Sequence, residues 1–449
     1  MYIDDDTFSG TIKDVSFISE FTSKYQKGMT MGVKTHKTDL SMEFNLKMSS
    51  VSILLYHTEF KKFLMVRQFR PAVFVGRIRN LPENVNKDLN DIDWSSYDTK
   101  IGYSMELCAG LVDKPDKDVV EIAIEEVDEE CGYKLGRDQI QLITTFIVGS
   151  HQSGNYQHLF YAEINESMKI SEGGGLIDHG EVIVKNFMDV EFARKLVSAS
   201  NSVSTLLGPP GVLLAFQWWF SNIEKRISLK PINETDVWTP TDVEKIEKFT
   251  FSPEWNSVKH GCLPRRMTFH LNGRRIVWDL SLTVDSVLGL LVDTDSKELI
   301  LVQMFRPAVL VGRTRNLSEN RGKPLDEIDF TKSDPRWSYT LELCGKQVAP
   351  GEDVKAKVIE SVRDLGYLVD NNKSVHIAHF MPGIGQSGDS QDIFCIEVGA
   401  STKRVTPALA YGHQETRLPF SRLGSIVRQS GLGPPTTYYA IQYVLDKYN

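Results

Sequence analysis

DKDVVEIAIEEVDEECGY, residues 116–133, is the stretch on which the fold turns. Asp118, with Glu121 three residues later, has the pattern of a capping box at a helix start. Gly132 suits the end of that helix. With a rotation of about 100° per residue, Val120, Ala123, Ile124, Val127 and Cys131 share one arc, the one expected to pack on a sheet. Glu126, Glu129 and Glu130 share a separate arc through the i, i+3, i+4 relation, where like charges repel. A solvated acidic face accounts for that pattern. So does a hard-cation site, because carboxylate oxygens suit Mg²⁺ and the cation offsets their repulsion. The helix alone leaves both open, and its flanks decide.

Outward from this helix the chain repeats itself. FRPAVFVGRIRNLPEN at 69–84 returns as FRPAVLVGRTRNLSEN at 305–320, identical at thirteen of sixteen positions. SMELCAG at 104–110 returns as TLELCG at 340–345, HQSG at 151–154 as GQSG at 385–388, and LGPPGVLLAFQ at 207–217 as LGPPTTYYAIQ at 432–442. The offsets stay between 225 and 236, so whole domains are duplicated. Charge and proline break the apolar patterning near 224–240. The expected division is a first domain over 1–225, a linker over 226–240 and a second domain over 241–449. Within a copy, SVSILLY (50–56), FLMVRQF (63–69), HLFYAEI (158–164) and EVIVKNF (181–187) read as strands. Helical patterns occupy about 118–131 and 210–222, the latter entered through proline. The expected fold class is α+β, a mixed sheet between helices in each copy.

Gly110 and the run EEVDEECGY at 125–133 resemble the box of the Nudix superfamily, G-x5-E-x7-R-E-U-x-E-E-x-G-U, one residue longer here. FRPAV, ELCAGLVD, EECGY and GGGLIDHGE are similar to the uridine diphosphate glucose diphosphatases within it, close relatives of the ADP-ribose diphosphatases. The resemblance covers most of 45–222. It implies two α/β/α sandwich domains in tandem. It also implies metal binding by Glu126, Glu129 and Glu130, with a backbone carbonyl from Ala109. Glu181 matches a loop acid that binds metal or activates water, so Glu129, Glu130 and Glu181 form the implied catalytic set. Arg70 matches a substrate-pocket arginine; Glu106 and His151 are further candidates for substrate contact. The implied cofactor is Mg²⁺, with Mn²⁺ as the alternative. Two departures stand out. Glu125 replaces the usual basic residue and is expected to add negative charge to the site, and the first box glutamate is missing, with Asp116 or Asp118 nearby.

The second box, GKQVAPGEDVKAKVIESVRDLGY at 345–367, has the standard length. Glu360 and Asp364 hold the outer acid positions, and Arg363 replaces the middle one. Arg363 is expected to neutralise those acids and exclude Mg²⁺. Simple alignment sets Gln414 opposite Glu181. Arg306, Arg313 and Arg315 persist, matching Arg70, Arg77 and Arg79. The second copy therefore reads as an inactive partner in a pseudo-dimer within one chain, open to further self-association.

Composition limits the partners. The chain is 41% hydrophobic and 24% charged, with a net charge of −8, which disfavours a nucleic-acid polyanion. Five widely spaced cysteines form no C-x-x-C pair and point to a reducing compartment. The start lacks a basic, apolar leader, and no apolar run reaches the roughly 18 residues of a membrane span. A soluble, cytoplasmic protein is expected, with a nucleotide sugar as its small-molecule partner. Hydrolysis of ADP-ribose is the nearest alternative activity. A non-hydrolysing nucleotide-sugar sensor or scaffold is the alternative outside enzymes.

Overall fold

The four apolar runs read from the first copy build one sheet. They fall in strands Ser50–His57, Lys62–Phe69, Asn155–Ile164 and Ile183–Asp189. The structure is a computed structural model and describes residues 10–23, 25–175, 183–198, 208–225, 232–252 and 262–448. Ser50–His57 pairs antiparallel with Lys62–Phe69 and parallel with Asn155–Ile164, which makes the sheet mixed. Ile183–Asp189 pairs with Lys62–Phe69, and Ile140–Val148 with Asn155–Ile164. The short strands Tyr103–Glu106 and Cys108–Leu111 complete seven. A central strand covered on both faces needs a continuous apolar run, and Val51, Ile53, Leu54 and Leu55 are all fully buried.

The second copy repeats the pattern around strands Asp285–Asp293, Glu298–Phe305 and Gln391–Val398. On one face of the first sheet lies the acidic helix, with Ala123, Val127 and Cys131 packed against Val51, Ile53 and Leu55. On the other lies helix Gly211–Trp219, which shares a core with the second copy's helix Pro435–Tyr448. The fold is thus α+β, two helix-flanked mixed sheets in tandem.

The copies interleave. Strand Lys13–Ile18, from the first copy, joins Leu263–Leu271 and Arg274–Leu282 of the second. Strand Ile246–Ser252, from the second, joins Gln26–Thr35 and Asp39–Lys47 of the first. The composition break behind the expected linker at 226–240 carries no information about which edge a strand pairs with. Residues 226–231 of that stretch lie outside the described residues.

The repeated motif FRPAV opens a helix in each copy, Pro71–Arg79 and Pro307–Arg315, with proline in the first turn. Neither helix is among the elements the sequence predicts. Each helix receives a loop from the other copy. A Cβ on Gly76 would collide with the carbonyl of Gly388, and a Cβ on Gly312 with the carbonyl of Gly154. The shared glycine of the motif is therefore a point of backbone contact between copies. Among the described residues no helix is long and apolar enough to cross a membrane. The five cysteines are buried and free of disulfides.

Candidate active site

The acidic helix starts as its sequence requires. The Asp118 carboxylate accepts from the N–H groups of Val120 (2.9 Å) and Glu121 (3.0 Å), and Glu121 accepts from the N–H of Asp118 (2.9 Å). The capping box is complete. The helix runs α-helically over Val119–Glu126, widens to a π-turn over Val127–Cys131, and ends at Gly132 with φ 78°. The second copy's helix, Val354–Asp364, is α-helical throughout. Asp118 and Gly132 are one residue further apart than Asp353 and Gly366. The π-turn absorbs that residue, as such bulges do.

Glu130 is turned inward. It is 2% exposed, and its carboxylate accepts from the N–H of Ala109 at 3.0 Å. Burial pushes its carboxyl well above the usual range, and the nearby Cys131 and Glu126 add to that shift. Glu126 lies over the neighbouring strand, where a Cβ on Gly110 would collide with its carboxylate. Glu129 is more open, 3.9 Å from Lys114.

Glu125 departs from expectation. It does not stand as an added bare charge, because Lys114 (2.9 Å) and Lys117 both bind it. Those two lysines, first Lys117, hold its carboxyl below the usual range. The basic support comes from the loop before the helix. KPDK at 114–117 carries both of those lysines in the sequence.

Among the described residues no three His, Cys, Asp or Glu side chains form a ready-made metal cage. Glu181 lies outside the described residues. The donor set nonetheless suits a hard divalent cation. It offers carboxylate oxygens only, one of them desolvated beside another acid, and the glycine at 110 leaves the room that Glu126 occupies.

Arg70 and Glu106 meet each other. Nε and Nη2 of Arg70 donate to the two carboxylate oxygens at 2.8 and 2.6 Å, and Ser104 also donates to Glu106. In the second copy Arg306 donates to Glu342 at 2.9 and 3.0 Å, with Thr340 in the place of Ser104. A bidentate pair kept in both copies ties the start of the motif helix to the strand. His151 lies within reach of charges from both copies. The charges acting on it are Arg306 and Glu342 of the second copy, then Lys47. Its loop crosses to the other copy, as the contact of Gly154 with Ala308 and Val309 demonstrates.

Two expectations for the second copy change as well. Arg363 is exposed. Glu360 and Asp364 are instead joined by Lys346, whose Nζ stands 3.0 and 2.6 Å from them. Gln414 pairs with Gln303, and Val184 pairs with Arg67, the residue matching Gln303. Gln414 is therefore the counterpart of Val184, not of Glu181.

No protein-family model matches the chain. A uridine diphosphate glucose pyrophosphatase of Mus musculus, NUDT14, is 31% identical over 212 residues, 46% of this chain and 94% of the mouse protein. Its Bos taurus counterpart is 30% identical over the same length and shares. A GDP-mannose pyrophosphatase of Salmonella paratyphi B is 32% identical over 149 residues, 33% of this chain and 62% of that protein. A solved ADP compounds hydrolase aligns with 14% identity and a TM-score of 0.32, over 48% of this chain and 96% of that one. Relatives of this identity and coverage make the chain a hydrolase of the pyrophosphatase type. The chain belongs to the Nudix hydrolase superfamily.

Proposed function

We propose that the first copy hydrolyses the diphosphate bond of a nucleotide sugar, UDP-glucose foremost, to UMP and glucose 1-phosphate. One observation carries this reading: Glu126 and Glu130 converge on the strand at Ala109 and Gly110 in a chain whose relatives are named for UDP-glucose and GDP-mannose. Glu126, Glu129 and Glu130 would hold Mg²⁺, or Mn²⁺ in its place. When bound, such an ion neutralises charge on the diphosphate and lowers the pKa of water.

The chain's own residues supply the rest. The Ala109 N–H holds Glu130 in one orientation. Lys114 and Lys117 pair with Glu125 and so offset its charge beside the carboxylates it precedes. Arg70, its guanidinium oriented by the pair with Glu106, is the proposed substrate-contacting arginine. Glu181 is the proposed acceptor for the proton of the attacking water. His151 remains a proposed substrate contact, on a loop whose neighbouring charges come from Arg306 and Glu342 of the second copy and Lys47 of the first.

The second copy acts as an inactive partner. Its strand Ile246–Ser252 completes a sheet of the first copy, and Asn316 donates to Ser49 at 3.4 Å, at the start of the first copy's central strand. The test is a product assay on the full chain with UDP-glucose, GDP-mannose and ADP-ribose, with Mg²⁺ and with chelator. UMP and glucose 1-phosphate should form only with the metal. Equal turnover in chelator, or none with any substrate, overturns the proposal.

A further inference from the structure

Lys346 and Gly110 occupy the same position in the two sheets. Gly110 pairs with Val51, and Lys346 pairs with Val287. The central strands agree on that match, since Ser50 faces Gln157 as Ser286 faces Gln391. The motif alone suggests Gly345 for this position, but Gly345 pairs with Leu288 and so matches Ala109, which pairs with Ser52.

The two occupants have opposite consequences. In the first copy any side chain at 110 would run into the Glu126 carboxylate. In the second copy a lysine starts from that point and reaches across the helix face. Its ammonium joins Glu360 at 3.0 Å and Asp364 at 2.6 Å. In the box spacing counted back from Gly132 and Gly366 these acids fall opposite Glu126 and Glu130, while counted from the caps Asp118 and Asp353, ahead of the π-turn, Glu360 falls opposite Glu125. Lysine is a compact cation with three donors on a flexible stem. Tethered to the strand, it is present at every metal concentration. Lys357 adds a second cation, 3.6 Å from Glu360.

We infer that Lys346 is a built-in countercation that stands in for the divalent ion in the second copy. Lys346 at this strand position closes the box as an ion pair where Gly110 leaves it open. The acids are about half and one third exposed, so the pair adds little stability and its main effect is to exclude metal. The second copy keeps its packing without metal, and this suits a constitutive partner. The inference rests on the metal reading of the first copy only for the identity of the ion displaced.

Mn²⁺ binding to the full chain, read from the electron paramagnetic resonance signal of free Mn²⁺, tests it. The double variant Lys346→Gly/Arg363→Glu should gain a class of Mn²⁺ sites that the parent lacks, and adding Glu360→Gln should remove it. An unchanged binding curve overturns the inference. Should the double variant not fold, Lys346→Gln keeps the length and removes the charge. Its melting temperature should then rise with Mg²⁺ in a background where Glu130→Gln disables the first site, and no rise overturns the inference. Parent protein that binds no Mn²⁺ would defeat the metal reading of the first copy. It would leave the gain or absence of a site in the double variant to judge Lys346 separately.

Discussion

Gly76 meets Gly388 backbone to backbone, one residue from each copy, with no space for a Cβ between them. Gly312 meets Gly154 in the same way on the other side of the pseudo-twofold. The motif repeated most faithfully along the chain thus lies where the two copies touch. Because the opposing atoms are backbone, a methyl group cannot be accommodated by turning a side chain. Gly76→Ala should cost about 2–3 kcal/mol, the scale of overpacking a tight interior. Gly424 lies in helix Phe420–Ile426 with nothing within 4 Å of its Cβ position, so Gly424→Ala should gain about 0.5–1 kcal/mol from helix propensity. Denaturant midpoints of the two variants distinguish a contact from a mere helix glycine. Equal stability of Gly76→Ala and the parent would falsify the close packing.

The strand exchange predicts how the halves behave apart. Without Ile246–Ser252, the strand Gln26–Thr35 loses its outer neighbour, and Lys13–Ile18 loses the hairpin it pairs with. Exposed edges of that kind pair with other chains. Residues 1–230 expressed alone should therefore form oligomers or aggregates with little activity. Mixing them with residues 231–449 during refolding should restore a compact species and UMP release. Light scattering with a parallel activity assay reads both. A fully active monomer of 1–230 would refute the need for the second copy.

Much of this architecture is readable from local signals. The strands at 50–57 and 62–69 announce themselves by apolar runs, and the helix at 119–126 by Asp118 and Glu121, because those cues act within a few residues. The acids at 126, 129 and 130 followed from the same helix. What the sequence hid depends on distant pairing. The exchanged strands are ordinary edge strands until the other copy is present. Lys346 is disguised because GKQV places a glycine one residue before the box position, and a one-residue change in strand alignment alters which side chain faces the helix. The π-turn is visible only as one surplus residue between Asp118 and Gly132. The crossing of the His151 loop leaves no mark on its own segment. Glu125 reads as a bare charge in the sequence because its partners, Lys114 and Lys117, precede the helix and are not on it.

Glu130 and Glu360 offer a paired test of which copy works. In Glu130→Gln the amide oxygen can still accept the Ala109 N–H, so the helix keeps its seat while a negative charge is lost. UDP-glucose hydrolysis should fall by on the order of 100-fold or more, with Mg²⁺ affinity falling at least about 10-fold. The circular dichroism spectrum should be unchanged. Glu360→Gln leaves the Lys346 contact with Asp364 in place, and activity should stay within about twofold, the change a surface pair in a non-catalytic copy warrants. Initial rates for both variants decide the matter. Comparable losses in the two would mean that both boxes serve catalysis.

Acid should weaken the fold through its inward-facing histidines. Burial, with the charge of Arg306 after it, lowers the His413 imidazole to about 4, and burial lowers that of His158 to about 4. Their ordinary value is 6.5. Between these values the unfolded chain takes up a proton that the folded chain refuses. Stability therefore falls as pH drops from about 6.5 toward 4, by at most about 1.4 kcal/mol per pH unit for each group, and these groups add no further loss below 4. Glu342 does not blur this window. Arg306 and its hydroxyl neighbours outweigh the burial that opposes them and hold its carboxyl at about 2, against an ordinary value of 4.5, so its contribution is lost only as pH falls below about 4.5. His413→Gln should flatten the decline between pH 6.5 and 5 while leaving stability at pH 8 within about 1 kcal/mol, since the neutral imidazole and the amide are both uncharged there. Urea midpoints of parent and variant at pH 8, 6.5, 5.5 and 5 measure the slope directly. Parallel curves for the two proteins would show that His413 exchanges its proton as freely in the folded chain as in the unfolded one.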